Sequence, residues 1–367
     1  MLFRRLAVFA GGWTLEAAEA VCGREGQALL ETLGRLADKS LVQPVGNHLA
    51  EGRAWLAEIL TISDEPTVGR ARVLIGAGLL AAYQGDYEFA SQSLLEGVGI
   101  CRLLAEDREL AHGLFALGLL AWTRGEYRSA QLCGEEGLLV SRRVGHRGFE
   151  ALHLFICAAA AVEMGDRDTA RTLAEQSRML ATHAQFGRAI GPSLGVLGTL
   201  SDLERDYRQA SAILEQAIGQ LHAAGIPVAV AWVTSLLGRV AAAQCNYAEA
   251  QARSAEALRV VRSFNLKGRA PFVIEGLAEA LADNEQSEGA VLLAGAAQTI
   301  RQRLGASSSE TEQARLDESL ARARQQLGVA ADAGWAAGQA MSLDEAIDCA
   351  LELCSAAQSP AAVEASA

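Results

Sequence analysis

The stretch AHGLFALGLLAWTRGEYRSA, residues 111–130, combines an apolar helical pattern, a turn at Gly125-Glu126 and the start of a second helix at Tyr127. A similar stretch, ARVLIGAGLLAAYQGDYEFA, stands forty residues earlier at 71–90, and the pattern returns at 151, 191, 231 and, more weakly, 271. A repeat of this length built from two helices is typical of an α-solenoid. The sequence therefore predicts an all-α fold, a right-handed solenoid of about six helix pairs.

Small residues recur at two positions of the repeat. The eighth residue is Gly or Ala, and the twentieth is Ala in every copy. Small side chains let paired helices cross closely, and a leucine at either position would overpack the crossing at a cost of roughly 1–3 kcal/mol. The two sets are Gly78, Gly118, Ala158, Gly198, Gly238 and Ala278, and Ala90, Ala130, Ala170, Ala210, Ala250 and Ala290.

Acidic residues precede the second helix in four copies of the repeat. A carboxylate at this place can accept hydrogen bonds from the first free backbone N–H groups and interacts favourably with the helix dipole. We therefore predict helix-start roles, and not catalysis, for these side chains. They are Asp86, Glu126, Asp166 and Asp206.

The C-terminal region departs from the repeat. A polar segment, GASSSETEQAR, leads into a predicted helix over 316–328, and Ser342 with Glu345 forms a capping-box pattern ahead of a predicted helix over 346–353. The last dozen residues are small and polar, which is typical of a disordered tail.

The segments flanking the repeat carry a family resemblance. Residues 1–43 contain LFRRLAVFAGGWTLEAAEAVC followed by LLETLGRLADKSLV, and WAAGQAMSLDEAIDCAL stands at 335–351. These segments resemble the winged-helix unit after the ATPase domain and the terminal segment of large LuxR-type bacterial transcriptional regulators. The repeat resembles a tetratricopeptide repeat lengthened by about six residues, as in the MalT-like region of those regulators.

This resemblance implies a domain order. We expect a winged-helix-like remnant at 1–43, tetratricopeptide-like repeats at 48–310, a C-terminal helical cap at 311–355 and a disordered tail at 356–367. Running the repeat backwards aligns Ala50 with Ala90, so that 48–60 would be a second helix without its first. We hypothesise that a segment has been lost between about residues 42 and 47, and that an upstream ATPase is lacking.

Composition limits the function classes. The net charge of −12 argues against broad binding to nucleic acid or to anionic membranes, because both need a basic surface. The seven cysteines form no CxxC pair, which favours buried thiols in a reducing compartment. No apolar run reaches the roughly 18 residues of a membrane span. We expect a cytoplasmic chain.

Catalytic signatures are missing from the sequence. It contains no GxxxxGK[ST] phosphate loop, no HExxH and no GxSxG, and its six histidines show no metal-ligand spacing with cysteine. We therefore predict that the chain is not an enzyme and has no cofactor and no metal site.

Aromatic and basic residues recur at positions of the first helix that should point into the concave groove. They suit an amphipathic helix, an extended peptide or a small effector, although aromatics at helical spacing more often serve packing. The candidate groove residues are Arg72, His112, Phe115, Trp122, Phe155, Trp232 and Arg239.

The resemblance and the groove together predict a non-enzymatic sensor or protein-interaction region of a LuxR-family regulator. Its expected partner is a protein or peptide, or a small effector. Two alternatives stay open at this point: a self-associating structural adaptor that forms a homodimer, and a truncated gene product without independent activity.

Overall fold

The computed structural model describes residues 64–356 and, before them, residues 52, 53, 56–58, 60 and 61. Residues 64–356 form fifteen α-helices and one short 3-10 helix, and none of them lies in a strand. The predicted all-α solenoid is confirmed. The unit predicted at 1–43, the segment proposed to be lost at 42–47 and the tail after Ala356 lie outside the described residues.

Twelve helices form six consecutive pairs, as the repeat predicts. In each pair the second helix begins at the repeat position that Tyr127 occupies in its own copy. The pairs are α1 (Val68–Tyr83) with α2 (Tyr87–Leu103), α3 (Asp107–Arg124) with α4 (Tyr127–Arg143), α5 (Arg147–Glu163) with α6 (Arg167–His183), α7 (Gly187–Leu203) with α8 (Tyr207–Ala224), α9 (Pro227–Ala243) with α10 (Tyr247–Ser263), and α11 (Ala270–Asp283) with α12 (Ser287–Leu304).

The turns between helices follow a spacing of twenty residues. One residue of each turn has a positive φ, and six of these residues are not glycine, with φ between 52° and 62°. Left-handed backbone is strained for a residue with a Cβ, so packing of the helices on both sides must hold these turns. The full set is 85, 105, 125, 145, 165, 185, 205, 225, 245, 265, 285 and 305.

The helices of a pair cross closely at the predicted small residues. The six alanines of the twentieth position are all 0% exposed. A Cβ at Gly78 would lie 2.7 Å from Leu94 Cγ, and one at Gly198 would lie 2.5 Å from Leu214 Cδ2. These gaps are far below van der Waals contact, so glycine sets the distance between the paired helices.

Three of the four acidic residues predicted at the starts of second helices cap their helix with the side chain. Asp86, Asp166 and Asp206 accept hydrogen bonds from backbone N–H groups three residues on, at 3.2, 3.1 and 3.0 Å. Glu126 makes no such bond. Its longer side chain instead forms an ion pair with Arg124 at 3.0 Å.

The first helices of neighbouring pairs, α1, α3, α5, α7, α9 and α11, also pack against one another. We call the surface that they share the inner face. The 3-10 helix Lys267–Arg269 before α11 reaches back to α1, and the Tyr87 hydroxyl lies 3.5 Å from the Gly268 carbonyl oxygen. The sixth pair therefore touches the first, and the solenoid encloses its inner face.

Three further helices, α13 (Glu310–Leu327), α14 (Ala330–Ala340) and α15 (Leu343–Ala356), follow the pairs. The predicted start of α13 at 316 is wrong, because Ser309 and Glu312 form a capping box that begins the helix at Glu310. The predicted capping box of Ser342 and Glu345 is present, with bonds of 2.7 and 3.3 Å. The helix it begins is longer than the predicted 346–353. The domain boundaries proposed from the sequence stay predictions.

The chain after the pairs packs tightly on them. A Cβ at Gly338 of α14 would lie 1.9 Å from the Leu292 carbonyl oxygen of α12, so only glycine fits this crossing. Helix α13 packs on α11 and α12, and α15 packs on α10, α11 and α12. Within the part of the chain that the structure describes, no helix has both the length and the apolar character that a membrane span requires.

Candidate ligand-binding site on the inner face

Two tryptophans meet at the centre of the inner face. Trp122 of α3 and Trp232 of α9 lie edge to face with ring centroids 5.3 Å apart, and Phe155 of α5 lies 6.4 and 6.3 Å from them. The three side chains are buried. Gly195 of α7 makes room for the indole, because a Cβ there would lie 2.7 Å from Trp232 Cζ3. This contact joins the second and fifth pairs and separates two clefts.

The first cleft, which we call the Arg269 cleft, is apolar with a basic edge. The open space at the cleft is about 550 Å³, a figure that includes the solvent at its mouth. The guanidinium of Arg269 lies 4.7 Å from the Trp122 ring centroid. The cleft is lined by Tyr83, Phe115, Leu119, Trp122, Leu152, Phe155, Arg188, Pro192, Ile226, Val228, Ala229, Trp232 and Arg269.

The charges of the Arg269 cleft are unbalanced. Neither the Arg188 nor the Arg269 side chain forms a hydrogen bond or an ion pair with another of the described residues, and no carboxylate lines the cleft. Burial lowers the pKa of the Arg269 guanidinium from its usual range, and Tyr87, Tyr83 and Glu312 oppose this. Burial raises the pKa of the Tyr83 hydroxyl, while Arg188 and Arg269 oppose the rise.

The second cleft, the Glu163 cleft, contains charges of both signs. Its volume is about 610 Å³ including the mouth. Burial and the neighbouring Glu312 raise the pKa of Glu163 to about 7, and a hydrogen bond from Ser309 opposes the rise. Its lining residues include Trp122, Glu163, Asp202, Trp232, Arg239, Glu312 and Arg315.

The arginines of the Glu163 cleft are already paired with carboxylates. Arg239 lies 2.6 Å from Glu279, one repeat further along the same column, and its guanidinium lies 4.8 Å from the Phe272 ring centroid. Arg315 lies 2.9 Å from Asp202. These internal pairs leave the Glu163 cleft close to electrostatic balance.

The chain itself covers part of the Glu163 cleft. After α12, Ser307 donates from its amide and its hydroxyl to the Arg124 carbonyl oxygen, at 3.0 and 3.1 Å. The first turn of α13 then places Glu312 and, one turn on, Arg315 in the cleft lining. The Arg269 cleft has no lining residue from this segment. Of the two clefts, only the Arg269 cleft is thus free of the chain's own C-terminal region.

The structure brings some of the predicted groove residues together and not others. Phe115, Trp122, Phe155 and Trp232 line the Arg269 cleft, whereas Arg239 lines the Glu163 cleft. Their role in ligand binding stays a prediction.

Arg72 and His112 line neither cleft. Arg72 forms an ion pair with Glu109 at 2.6 Å, which ties α1 to α3. The His112 ring lies 5.5 Å from the Phe149 ring. These contacts show the two side chains in packing between helices.

Sequence reasoning missed Tyr83, Arg188 and Arg269. The repeat frame begins at 191 and 271 in the copies concerned, so Arg188 and Arg269 precede the columns that were searched for groove residues. A search extended to the first turn of each first helix, and to the turn before it, would have included both arginines. It would not have shown that Arg269 faces Trp122, because that contact depends on the closure between the sixth pair and the earlier ones.

Comparison with solved structures supports the fold. A Rap protein complexed with competence and sporulation factor has a TM-score of 0.57 and 13% identity, covering 92% of this chain and 91% of that chain. The apo form of RapI has a TM-score of 0.42 and 12% identity over 90% and 98% of the chains, and the TPR domain of P58(IPK) has 0.24 and 12% over 89% and 98%. No protein-family model matches the sequence, and no curated protein matches it. At these identities the likeness to the Rap protein shows a helical-repeat fold.

Proposed function

We propose that this chain is a non-catalytic binding protein that takes a peptide, a protein segment or a small effector on its inner face. The observation that carries the proposal is the contact between Trp122 and Trp232, which stands between two clefts at the centre of the enclosed solenoid turn. The similar Rap protein is seen in complex with competence and sporulation factor, and we extend binding by a helical-repeat solenoid to this chain.

Binding at this place would act on the whole solenoid. A ligand that packs against the two indoles changes the contact between the second and fifth pairs. In a repeat protein each pair contacts mainly its neighbours, so small rotations add along the chain. A ligand with different affinity for two curvatures shifts the population between them. Occupancy of the clefts would thus be transmitted to the ends of the solenoid.

We further propose that this binding region belongs to a transcriptional regulator that resembles the LuxR type and works in the cytoplasm. The support is the sequence resemblance of residues 1–43, of the repeats and of the segment 335–351. In such an arrangement the solenoid is the sensor, and a partner domain supplies the switch.

The proposal is tested by screening random peptides and a panel of small effectors against the wild type, then repeating each binding measurement on variants. We expect Trp122→Leu and Trp232→Leu to weaken binding at least tenfold while thermal unfolding stays cooperative. Trp335→Leu, which removes an indole from α14 outside the clefts, is the matched control and should bind as the wild type does. The proposal fails if no ligand binds, or if every ligand is indifferent to both inner-face substitutions.

A second candidate function is self-association. The second helices form the outer surface, and they expose Leu103, Leu139 and Met179 to 70%, 67% and 54%. Apolar side chains at such positions can form an interface between copies. Light scattering distinguishes the candidates: a dimer that Leu139→Glu converts to a monomer favours the adaptor, and a monomer that retains ligand binding favours the sensor.

A further inference from the structure

The Arg269 cleft combines apolar walls with two cationic groups and no carboxylate. We propose that it binds a carboxylate carried on an apolar body, the carboxylate at Arg188 and Arg269 and the body against the aromatic walls. This inference rests on the proposed function and names the chemical class of its ligand. The carboxylate can come from a free organic acid or from the C-terminus of a peptide that ends in an apolar residue.

The first argument is the missing counter-ion of Arg269. Burying a cation is costly unless an anion or several acceptors compensate for the lost water. The chain supplies that compensation elsewhere, because Arg239 lies 2.6 Å from Glu279 and Arg301 lies 2.5 Å from Glu275. The half-buried Arg269 stacks on Trp122 and forms no ion pair with a carboxylate of the described residues, and Glu312 acts on it only from beyond ion-pair distance. The free N–H groups of Arg269 are donors that an incoming anion can use.

The second argument is the position of Arg188. This side chain is exposed and comes from α7, whereas Arg269 comes from the 3-10 helix before α11, yet both line the same cleft. Two guanidinium groups from different repeats therefore line one opening, and both act electrostatically on the Tyr83 hydroxyl of the first pair. A guanidinium fits a planar carboxylate through two parallel hydrogen bonds.

The third argument is the nature of the walls. Apart from Tyr83 and the two arginines, every lining side chain is apolar or aromatic, and the indole N–H groups are their polar atoms. A strongly hydrated anion such as inorganic phosphate would lose its water against these walls, where only the two guanidinium groups, the Tyr83 hydroxyl and the indole N–H groups are donors. A single carboxylate at the basic edge keeps the charge near the mouth, and its apolar body replaces water along the walls.

The test uses matched pairs of probes that differ only in the charge of one group. The first pair is 4-phenylbutyrate and 4-phenylbutyramide, which represent a free acid. The second pair is the N-acetylated tripeptide Ala-Leu-Phe with a free C-terminal carboxylate and with a C-terminal amide. Calorimetric titration of the full chain is expected to show each acid binding at least tenfold more tightly than its amide. The pair with the larger ratio identifies the source of the carboxylate.

Variants assign the preference to the cleft. Arg269→Gln and Arg188→Gln are each expected to reduce the acid-to-amide ratio at least fivefold, and Arg269→Lys should restore part of it. Arg262→Gln, which removes an exposed arginine paired with Asp348 outside both clefts, is the matched control and should leave the ratio within twofold of the wild type. Circular dichroism melts check that the variants fold, and Arg188→Gln, at an exposed side chain, keeps the test valid if Arg269→Gln unfolds.

Several results overturn the inference. They are the absence of binding by all four probes, equal binding of acid and amide, a preference that survives both arginine substitutions, and equal competition by inorganic phosphate. A ligand that depends on Trp122 and Trp232 but is indifferent to Arg188 and Arg269 would leave the proposed function standing while this inference fails. The two proposals can therefore fail separately.

Discussion

The indoles of Trp122 and Trp232 lie edge to face with centroids 5.3 Å apart, although the residues belong to the second and fifth helix pairs. Both are buried, and each lines both clefts of the inner face. Aromatic pairs in this geometry contribute about 0.5–1.5 kcal/mol beyond the area they bury. The contact joins two helix pairs that are three repeats apart in the sequence.

Gly198→Ala should destabilise the fold by about 1–3 kcal/mol, because the new Cβ would lie 2.5 Å from Leu214 Cδ2 in the core. Gly219→Ala in α8 is the matched control, since nothing lies within 4 Å of its Cβ. It should stabilise the chain by roughly 0.5–1 kcal/mol, as alanine does in an exposed helix. Urea unfolding of both variants measures the difference. Equal effects of the two substitutions would contradict the close crossing at Gly198.

Arg205→Gly should stabilise the turn between α7 and α8. The exposed Arg205 has φ 62°, and relief of its left-handed strain exceeds the added freedom of the unfolded chain, giving a gain of about 0.5–1 kcal/mol. The reverse change, Gly145→Ala at φ 68°, should lower the stability by about the same amount. Nothing lies within 4 Å of the new Cβ, so the loss would come from the strained backbone. Thermal unfolding compares the two. A loss of stability in Arg205→Gly would show that the Arg205 side chain stabilises the fold by more than its left-handed backbone destabilises it.

His153 should make the stability of the wild type fall in mild acid. Its ring is fully buried, Nε2–H donates to the Ala111 carbonyl oxygen at 3.0 Å, and burial lowers its pKa to about 4. The unfolded state takes up a proton near pH 6.5 but the folded state does not. The contribution of neutral His153 is therefore complete above pH 6.5 and is lost as the pH falls towards 4, by on the order of 3 kcal/mol.

A comparison with His153→Leu isolates this effect. The difference in unfolding free energy between the wild type and the variant is expected to shrink as the pH falls from 7 to 4. A difference that stays constant over this range would mean that His153 titrates alike in the folded and unfolded chain.

Glu163 should make the stability of the wild type fall as the pH rises, which is the opposite of the effect of His153. Burial and Glu312 raise its pKa to about 7, so the folded state holds a proton that the unfolded state releases near pH 4.5. The stability from the protonated form is complete below pH 4.5 and is lost as the pH rises through 7. Glu163→Gln keeps the neutral form at every pH, and it should gain stability relative to the wild type between pH 5 and 8. Glu215→Gln, at an exposed glutamate of α8, is the control and should show no such trend.

The repeat could be predicted from sequence because its causes are local. Gly118 and Ala130 mark the crossing, and the turn before Tyr127 fixes the length of each helix. The start of α13 was missed because the apolar pattern begins at Leu316, whereas the capping residues Ser309 and Glu312 lie two turns earlier in a polar segment. A search for the capping box there, as at Ser342, would have found it.

The site was only partly predictable because it depends on the closure of the solenoid. The frame placed Trp122, Phe155 and Trp232 on the inner side of their helices, but it could not show that the second and fifth pairs meet. The ion pair of Arg239 could have been predicted, because Glu279 occupies the same repeat position forty residues later. The contact of Arg269 with Trp122 could not have been predicted, since it joins a 3-10 helix to an α-helix four repeats away.

The most direct measurement of ligand binding on the inner face is fluorine NMR on protein labelled with 5-fluorotryptophan. Resonances of Trp122, Trp232 and Trp335 are assigned with single Trp→Phe variants, and the chain is titrated with a ligand recovered by screening random peptides and small effectors. The account predicts that the resonances of Trp122 and Trp232 shift together with one saturation curve, while that of Trp335 stays in place. A shift confined to Trp335, or no shift of either inner-face indole at saturating ligand, would contradict it.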